Sequence, residues 1–242
     1  MNNIKWKDLL NETLSKSMRE NKDSVTYCFS TISINPSNQL PQSRLLVHRG
    51  FVNERRKNDD PSTNPIDANS TTTMLACTDI RSPKIDQIVD RKSPTQQGLP
   101  ASICWWFLPT GEQYRIQTRA YIIPPPSWKS CFPTFPINQG LGPSTDFNWE
   151  EERLRIFEKL SPDLQASFLR PTPGKRIEKG STKDWPQRLE NHQMKTDALK
   201  NFALLVLDPV TVDLVRLKTN PHERFMWQKR SSSEWEEIEL IP

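Results

Sequence analysis

Apolar residues recur every three or four positions near the start of the chain and at alternate positions in most segments beyond it. Trp6, Leu9, Leu10, Leu14 and Met18 form the first series and predict an amphipathic opening helix. Segments rich in β-branched and aromatic residues, bounded by Asn, Pro or Gly, predict strands. The predicted strands cover residues 25–34, 42–52, 72–78, 101–108, 112–123, 202–207, 212–217, 224–229 and 235–241.

Short helical segments lie between some of these strands. Ser82 and Pro83 predict the start of one, with serine as the N-cap and proline at the first helical position. Residues 150–160 and 161–169 also have a helical pattern, whereas residues 171–196 are polar and irregular. Because most strands are adjacent in sequence, we predict a mostly β (α+β) fold, an antiparallel barrel with peripheral helices. A doubly wound sheet would need alternating strands and helices.

Polar stretches interrupt this pattern and indicate loop insertions within one domain that spans residues 1–242. Hydrophobic residues make up only 34% of the chain, and 21 of its 242 residues are proline. The predicted insertions lie near residues 53–70, 92–99 and 127–147.

The charge balance excludes several classes of partner. Thirty-three Lys and Arg residues against 29 Asp and Glu residues leave a net charge of +4, so we expect no nucleic-acid partner. The longest apolar runs, such as 202–207, are too short to cross a bilayer, so we expect no membrane span. The first residues lack a signal-peptide pattern, and we therefore expect a cytoplasmic protein.

The cysteines and histidines are scattered along the chain. Cys28, Cys77, Cys104 and Cys131 form no C-x-x-C pair, so we expect buried free thiols rather than disulfides. Without clustered ligands, we expect no metal site. His48 has a side-chain pKa near neutrality and is a candidate proton donor, but we favour a structural imidazole at this position.

Two basic clusters lie on predicted barrel elements. Arg44 and Arg49 are five residues apart on one strand, so their side chains diverge. Arg81, Ser82 and Lys84 lie at a strand-to-helix junction, where free backbone N–H groups and the helix dipole favour an anion. We predict a phosphate site at the second cluster, with an ordinary helix cap as the alternative. For Arg44 and Arg49 the alternative is pairing with surface carboxylates.

Four motifs in a fixed order carry a family resemblance. They are RLLVHR at 44–49, LACTDIRSPK at 75–84, EQYRI at 112–116 and NPHERF at 220–225, followed by a closing tryptophan strand. In this order, and from about residue 25 to the C-terminus, the chain resembles the pyridoxamine 5′-phosphate oxidase-like FMN-binding split barrels. The resemblance implies an antiparallel split β-barrel with FMN as its cofactor.

The resemblance also implies which residues contact FMN. Ser82 and Lys84 match the family's serine–arginine–lysine phosphate cluster; its arginine is Pro83 here, and Arg81 is in a position to compensate. The implied FMN contacts are Arg44, Leu46, Val47, Thr78, Arg81, Ser82, Lys84, Gln113 and Arg224. By the same resemblance, the backbone near Leu46 and Val47 would run beneath the flavin, and the Gln113 amide would hydrogen-bond the isoalloxazine edge.

The implied substrate site is less complete. Arg49, Arg170 and His222 match basic positions on the substrate side, but Asn220 stands where true oxidases have the substrate arginine. The activity implied is oxidation of pyridoxamine or pyridoxine 5′-phosphate at C4′, by hydride transfer to flavin N5 with O2 as the acceptor. This reaction makes pyridoxal 5′-phosphate. A homodimer is also implied, since the family's flavin site draws residues from two subunits.

Two alternatives keep the flavin but change the function. One is an FMN-dependent reductase of another substrate. The other is a non-catalytic FMN-binding protein, which would leave the barrel without a reaction. Flavin reduction by pyridoxamine 5′-phosphate separates the oxidase from both.

Overall fold

The structure is a computed structural model that describes residues 4–33, 39–60, 71–89, 98–132, 140–177, 182–231 and 234–242. Within these ranges the helices are α1 (Lys5–Glu20), α2 (Trp149–Glu158), α3 (Pro162–Ser167) and α4 (His192–Leu199). The strands are β1 (Thr26–Ile32), β2 (Pro41–Val47), β3 (Met74–Asp79), β4 (Leu99–Phe107), β5 (Glu112–Ile123), β6 (Phe202–Arg216), β7 (Glu223–Lys229) and β8 (Trp235–Leu240). Short 3₁₀ helices span Lys22–Val25, Lys57–Asp59, Pro83–Gln87 and Pro126–Cys131.

The strands form one antiparallel sheet. Its order is β2-β1-β4-β5-β6-β7-β8, and β3 pairs with the first half of β6. The chain after β2 closes the sheet into a barrel, because Arg49 N–H donates to the Leu75 carbonyl (2.8 Å) and Leu75 N–H donates to the Gly50 carbonyl (2.9 Å). Strands β7 and β8 continue from the second half of β6 outside this closure. This confirms the predicted α+β split barrel.

The main core lies inside the barrel and under α1. Alternation along β4 buries Ile103, Trp105 and Phe107 and turns the residues between them outward. Helix α1 contributes an apolar stripe at helical spacing that packs onto the same core. The buried stripe consists of Trp6, Leu10, Leu14 and Met18. The opening helix predicted from these residues is therefore confirmed.

A second apolar cluster attaches the other helices to the outside of β3, β5 and β6. Phe157 of α2, Phe168 after α3 and Phe202 of β6 pack together, with ring centroids 5.1–6.2 Å apart. Arg153 of α2 is buried beside them and donates to the Phe202 carbonyl (2.8 Å). This cluster fixes α3, and with it the chain that follows α3, against the end of β3.

Several predicted segments differ from the structure. The two strands predicted at 202–207 and 212–217 are one strand, β6, because a register shift beside Thr118 accommodates Pro209. Part of the segment predicted to be irregular is helix α4, capped by the Asn191 side chain, which accepts from Met194 N–H (2.9 Å). Of the predicted insertions, residues 61–70, 92–97 and 133–139 lie outside the described residues.

All four cysteines are free, as predicted, but they are not buried. Cys104 and Cys131 are exposed, and Cys28 and Cys77 are half-buried. Cys104 is exposed because it takes an outward position in the alternation of β4. Within the described ranges, no group of three or more His, Cys, Asp or Glu residues lies together to hold a metal ion. None of the helices in those ranges is long and apolar enough to span a membrane.

Candidate functional site

A cavity of about 670 Å³ opens where the end of β3 meets α3 and the chain that follows it. Cys77, Thr78 and Lys84 form one wall, and Arg170 with residues 171–177 forms the other. The cavity is called here the β3–α3 cavity, and Trp185 also lines it. Three of the sequence-predicted site residues, Thr78, Lys84 and Arg170, therefore line one space.

Lys84 is held at the wall by the 3₁₀ helix Pro83–Gln87. Its Nζ donates to Thr78 Oγ1 (2.9 Å). Burial lowers the pKa of Lys84, and the positive charge of Arg44 lowers this pKa further. The ammonium is therefore partly desolvated and lies near another cation, and a bound anion would offset both effects.

Arg44 is placed beside Lys84 by the same 3₁₀ helix. Its guanidinium donates to Gln87 Oε1 (2.6 Å) and to Thr31 Oγ1 (2.6 Å), and it lies over the Phe29 ring. Burial lowers the pKa of Arg44 as well. Its described hydrogen bonds thus go to neutral partners, which leave its positive charge without a carboxylate.

Arg81 and Ser82 have structural partners. The Arg81 guanidinium pairs with Asp79 (2.6 Å) and donates to the carbonyls of Phe168 (3.2 Å) and Arg170 (3.0 Å). Ser82 is buried and is the N-cap residue before Pro83, which matches the predicted helix start, although its side chain makes no capping bond. Neither residue is part of the cavity lining. Arg81 instead joins the end of β3 to the chain at the end of α3.

Arg170 lines the β3–α3 cavity, whereas Arg49 is not part of its lining and contacts the lining residue Cys77. The Arg49 side chain hydrogen-bonds the Cys77 thiol, and its Nε is buried without a partner in the described residues. Burial raises the pKa of Cys77. Arg170 pairs with Asp163 (2.5 Å) and lies over the Trp185 ring at 6.0 Å.

Gln113, Arg224 and His222 lie elsewhere. Gln113 pairs with Val215, and Val215 pairs with Arg224, so the three side chains form a row across β5, β6 and β7. Arg224 is held by Asp213, with N···O distances of 3.1 and 3.0 Å. His222 is exposed, and its Nδ1 lies 3.2 Å from the Thr219 carbonyl.

The pleat of the sheet places this row on the face opposite to Arg44. Arg44 pairs with the buried Phe29 and belongs to the inward row that reaches Ile116. Gln113 is three positions from Ile116, and an odd offset points to the other face. A single chain therefore does not bring Gln113 and Arg224 to the β3–α3 cavity.

The remaining predicted FMN contacts are on β2. Leu46 is paired with Tyr27 and packs against the main core. Val47 ends the strand and is half-buried. Neither lines the β3–α3 cavity.

The sequence interpretation missed three cavity residues, Lys175, Arg176 and Trp185. All lie in the polar stretch that was predicted to be irregular. A lone tryptophan among polar residues and a Lys-Arg pair after Pro173 and Gly174 were the available signals. Without a secondary-structure pattern, however, nothing in the sequence placed them against β3.

Comparison with known proteins places this arrangement in a family. The model of the pyridoxamine 5′-phosphate oxidase FMN-binding domain matches residues 3–124, half of the chain. No curated protein gives a match. A pyridoxamine 5′-phosphate oxidase-related, FMN-binding protein from Nostoc punctiforme PCC 73102 is 24% identical over the full length of both chains, with a TM-score of 0.68.

A second solved structure shares the fold at lower identity. PhzG from Burkholderia lata 383, in complex with tetrahydrophenazine-1-carboxylic acid, is 13% identical over 97% of this chain and 91% of that one, with a TM-score of 0.60. The solved structures show a shared fold. The family match covers the motifs at 44–49, 75–84 and 112–116 and shows the family as well. The chain belongs to the pyridoxamine 5′-phosphate oxidase FMN-binding domain family, and its cofactor is FMN.

Proposed function

We propose that the protein is an FMN-dependent oxidoreductase of a small anionic substrate. The first candidate reaction is the oxidation of pyridoxamine or pyridoxine 5′-phosphate at C4′ with O2 as the acceptor. The observation that carries the proposal is the half-buried cation Lys84 at the wall of the β3–α3 cavity, which the nearby positive charge of Arg44 repels. We also propose a cytoplasmic location, where four free thiols stay reduced.

The residues present fit the phosphate end of FMN. A cavity of about 670 Å³ is within the range of about 300–1,000 Å³ that small-molecule sites occupy. A phosphate dianion next to Lys84 would offset its desolvation and its repulsion by Arg44. FMN supplies the group that accepts a hydride at N5, which the protein side chains do not provide.

Several polar residues of the cavity then have separate tasks. Thr78 accepts from Lys84 and so holds the ammonium toward the cavity. Lys175 and Arg176 line the opposite wall, together with Arg170. We assign the phosphate of FMN to the Lys84 wall and the anionic group of the substrate to the Arg170 wall. Trp185 lies under the Arg170 guanidinium and lines the same cavity.

A second copy of the chain completes the site in this proposal. Gln113 and Arg224 face outward from the sheet, so only a partner could present them to a flavin in the β3–α3 cavity. The same face exposes apolar side chains: Leu45 is 71% and Trp106 is 43% exposed. A homodimer through this face would bury them and would bring the flavin-ring donors of each chain to the other.

One observation favours a different substrate as a second candidate function. Asn220 replaces the substrate arginine of true oxidases, and His222 is exposed and bonded to the Thr219 carbonyl instead. The cations on the substrate wall come from Arg170, Lys175 and Arg176. The second candidate is therefore a reductase or oxidase that binds another anionic molecule in the same cavity through these three cations.

Anaerobic mixing tests the proposal. FMN-loaded protein is mixed with pyridoxamine 5′-phosphate, and the absorbance of the oxidised flavin is followed before and after the admission of air. Bleaching that recovers in air is expected, and Arg170→Gln should slow the bleaching about tenfold or more, since it removes one charged contact. Arg230→Gln, at an exposed ion pair on the chain after β7, is the control. If no small anionic substrate bleaches the bound flavin, the enzymatic proposal is wrong.

A further inference from the structure

The 3₁₀ helix Pro83–Gln87 presents its side chains in separate rows. Three residues make one turn of a 3₁₀ helix, so side chains three positions apart lie one above the other. Ile85 and Ile88 form one row, and both are buried in the main core. Lys84 and Gln87 are also three positions apart and form a second row. The apolar row therefore fixes the helix on the barrel, and the second row holds Lys84 and Gln87 on one side of it.

The side-chain oxygen of Gln87 accepts two hydrogen bonds. Oε1 accepts from the Arg44 guanidinium (2.6 Å) and from the Thr31 hydroxyl (2.7 Å). A different nitrogen of Arg44 donates to Thr31 Oγ1 (2.6 Å). The three side chains thus form a closed ring of hydrogen bonds. Because Thr31 belongs to β1 and Gln87 to the 3₁₀ helix, the Arg44 guanidinium is fixed from two elements.

Both acceptors of Arg44 are neutral, so they orient the guanidinium without cancelling its charge. Thr31 supplies a hydroxyl oxygen and Gln87 an amide oxygen. The charge of Arg44 reaches Lys84, because it adds to burial in lowering the Lys84 pKa. An arginine has five N–H donors, and two bonds leave others for a ligand.

Arg81 lies at the same junction and shows the opposite arrangement. Its guanidinium pairs with the Asp79 carboxylate (2.6 Å) and donates to the carbonyls of Phe168 and Arg170. The charge of Arg81 is therefore compensated within the protein. Of these two arginines, Arg44 is the one whose charge remains for an anion beside Lys84.

We propose that Gln87 is a positioning residue for the phosphate of FMN. Together with Thr31 it holds Arg44 beside Lys84, so that the two cations bind the phosphate jointly. Gln87 does not line the β3–α3 cavity and acts through Arg44. This inference rests on the proposed assignment of the FMN phosphate to the Lys84 wall.

Fluorescence titration of the full-length protein with FMN and with riboflavin tests the inference. The two flavins differ only in the phosphate, so the ratio of their affinities measures phosphate binding. Gln87→Met removes the acceptor and keeps a side chain of similar length. It should lower the preference for FMN about fivefold or more and leave the riboflavin affinity unchanged. Thr31→Val removes the other acceptor in a side chain of the same shape and should lower the preference in the same way.

A double variant shows whether Gln87 acts through Arg44. Arg44→Met should lower the preference for FMN about tenfold or more, because it removes one of the two cations. Adding Gln87→Met to Arg44→Met should cause no further loss, since the group that Gln87 positions is then absent. Gln193→Met makes the same change at an exposed residue of α4 and should leave both flavin affinities unchanged.

Three results would overturn the inference while the phosphate assignment stands. They are an FMN preference that neither Gln87→Met nor Thr31→Val lowers, an equal loss of FMN and riboflavin affinity, and the same loss from Gln87→Met with and without Arg44. A wild type that binds the two flavins equally would instead overturn the phosphate assignment and this inference together. Circular dichroism shows whether each variant is folded, and Thr31→Val carries the test if Gln87→Met is not.

Discussion

The burial of a neutral imidazole is the residue-scale feature with the clearest energetic consequence. His48 packs against Phe51 and Trp105, with ring centroids 5.4 and 5.1 Å away. In the unfolded chain its pKa returns to about 6.5. The structural role that the sequence favoured for His48 agrees with this packing. Burial lowers the pKa of His48 most, and the positive charges of Arg56 and Arg49 lower it further. Arg56 lies beyond the predicted strand.

This burial predicts a loss of stability in acid. Below pH 6.5 the unfolded chain binds a proton at His48 that the folded chain does not bind until about pH 3, so acid favours unfolding. Between pH 7 and pH 5, wild type should lose about 2 kcal/mol more unfolding free energy than His48→Phe. Urea unfolding in phosphate-free buffer at both pH values measures the difference. Equal losses in the two proteins would show that His48 is not buried in its neutral form.

At the scale of elements, the link between β3 and α3 determines the shape of the β3–α3 cavity. Arg81 makes this link through Asp79 on one side and the carbonyls of Phe168 and Arg170 on the other. The sequence assigned Arg81 to the FMN phosphate by analogy. In the structure its guanidinium hydrogen-bonds other groups of the protein. The chain at the end of α3 supplies carbonyl acceptors that are distant from Arg81 in sequence.

The variant Arg81→Ala distinguishes a structural role of Arg81 from a role as a phosphate ligand. We expect a loss of about 2 kcal/mol in unfolding free energy, because a partly buried ion pair and two carbonyl contacts disappear. The affinities for FMN and riboflavin should fall by the same factor, since the cavity wall moves and no phosphate contact is lost. Fluorescence titration with both flavins measures this. Arg230→Ala, in an exposed ion pair with Glu236, should cost less than about 1 kcal/mol. A selective loss of FMN affinity would instead make Arg81 a phosphate ligand.

Most strands could be predicted from the sequence because alternation has a direct physical cause. Strand β5 runs over Glu112–Ile123, as predicted, since its burial alternates through most of its length. Strand β6 was divided in two because Asp208-Pro209 signals a turn, while the bulge that accommodates the proline depends on β5. Helix α4 was missed because its capping residue, Asn191, lies in a polar stretch with weak amphipathic spacing.

At the scale of the whole molecule, the predicted flavin contacts lie on two faces of one sheet. Motif order could identify both sets, because each motif is local in sequence. The sequence could not show which contacts lie on which face of the sheet, because this depends on how β1, β4 and β5 pair between the motifs. The cavity wall with Lys175 and Arg176, which we propose binds the substrate, was missed for the related reason that its residues carry no local pattern.

The proposed dimer predicts that one outward side chain controls both assembly and cofactor binding. Trp106→Glu places a charge on the face that exposes Leu45 and Trp106, beside Gln113. The variant should sediment as a monomer where wild type is a dimer, and its affinity for FMN should fall about tenfold or more. Ser130→Glu, at an exposed residue outside the strands, should change neither property. A wild-type monomer that binds FMN tightly would refute the two-chain site.

The central claim is that Lys84 binds the phosphate of FMN in the β3–α3 cavity. The most direct test compares the affinities for FMN and riboflavin, which differ only in that phosphate, in wild type and in Lys84→Met. Wild type should prefer FMN by about a hundredfold, and Lys84→Met should lose about tenfold or more of this preference while its riboflavin affinity stays the same. An FMN-to-riboflavin ratio that Lys84→Met leaves unchanged would contradict the account.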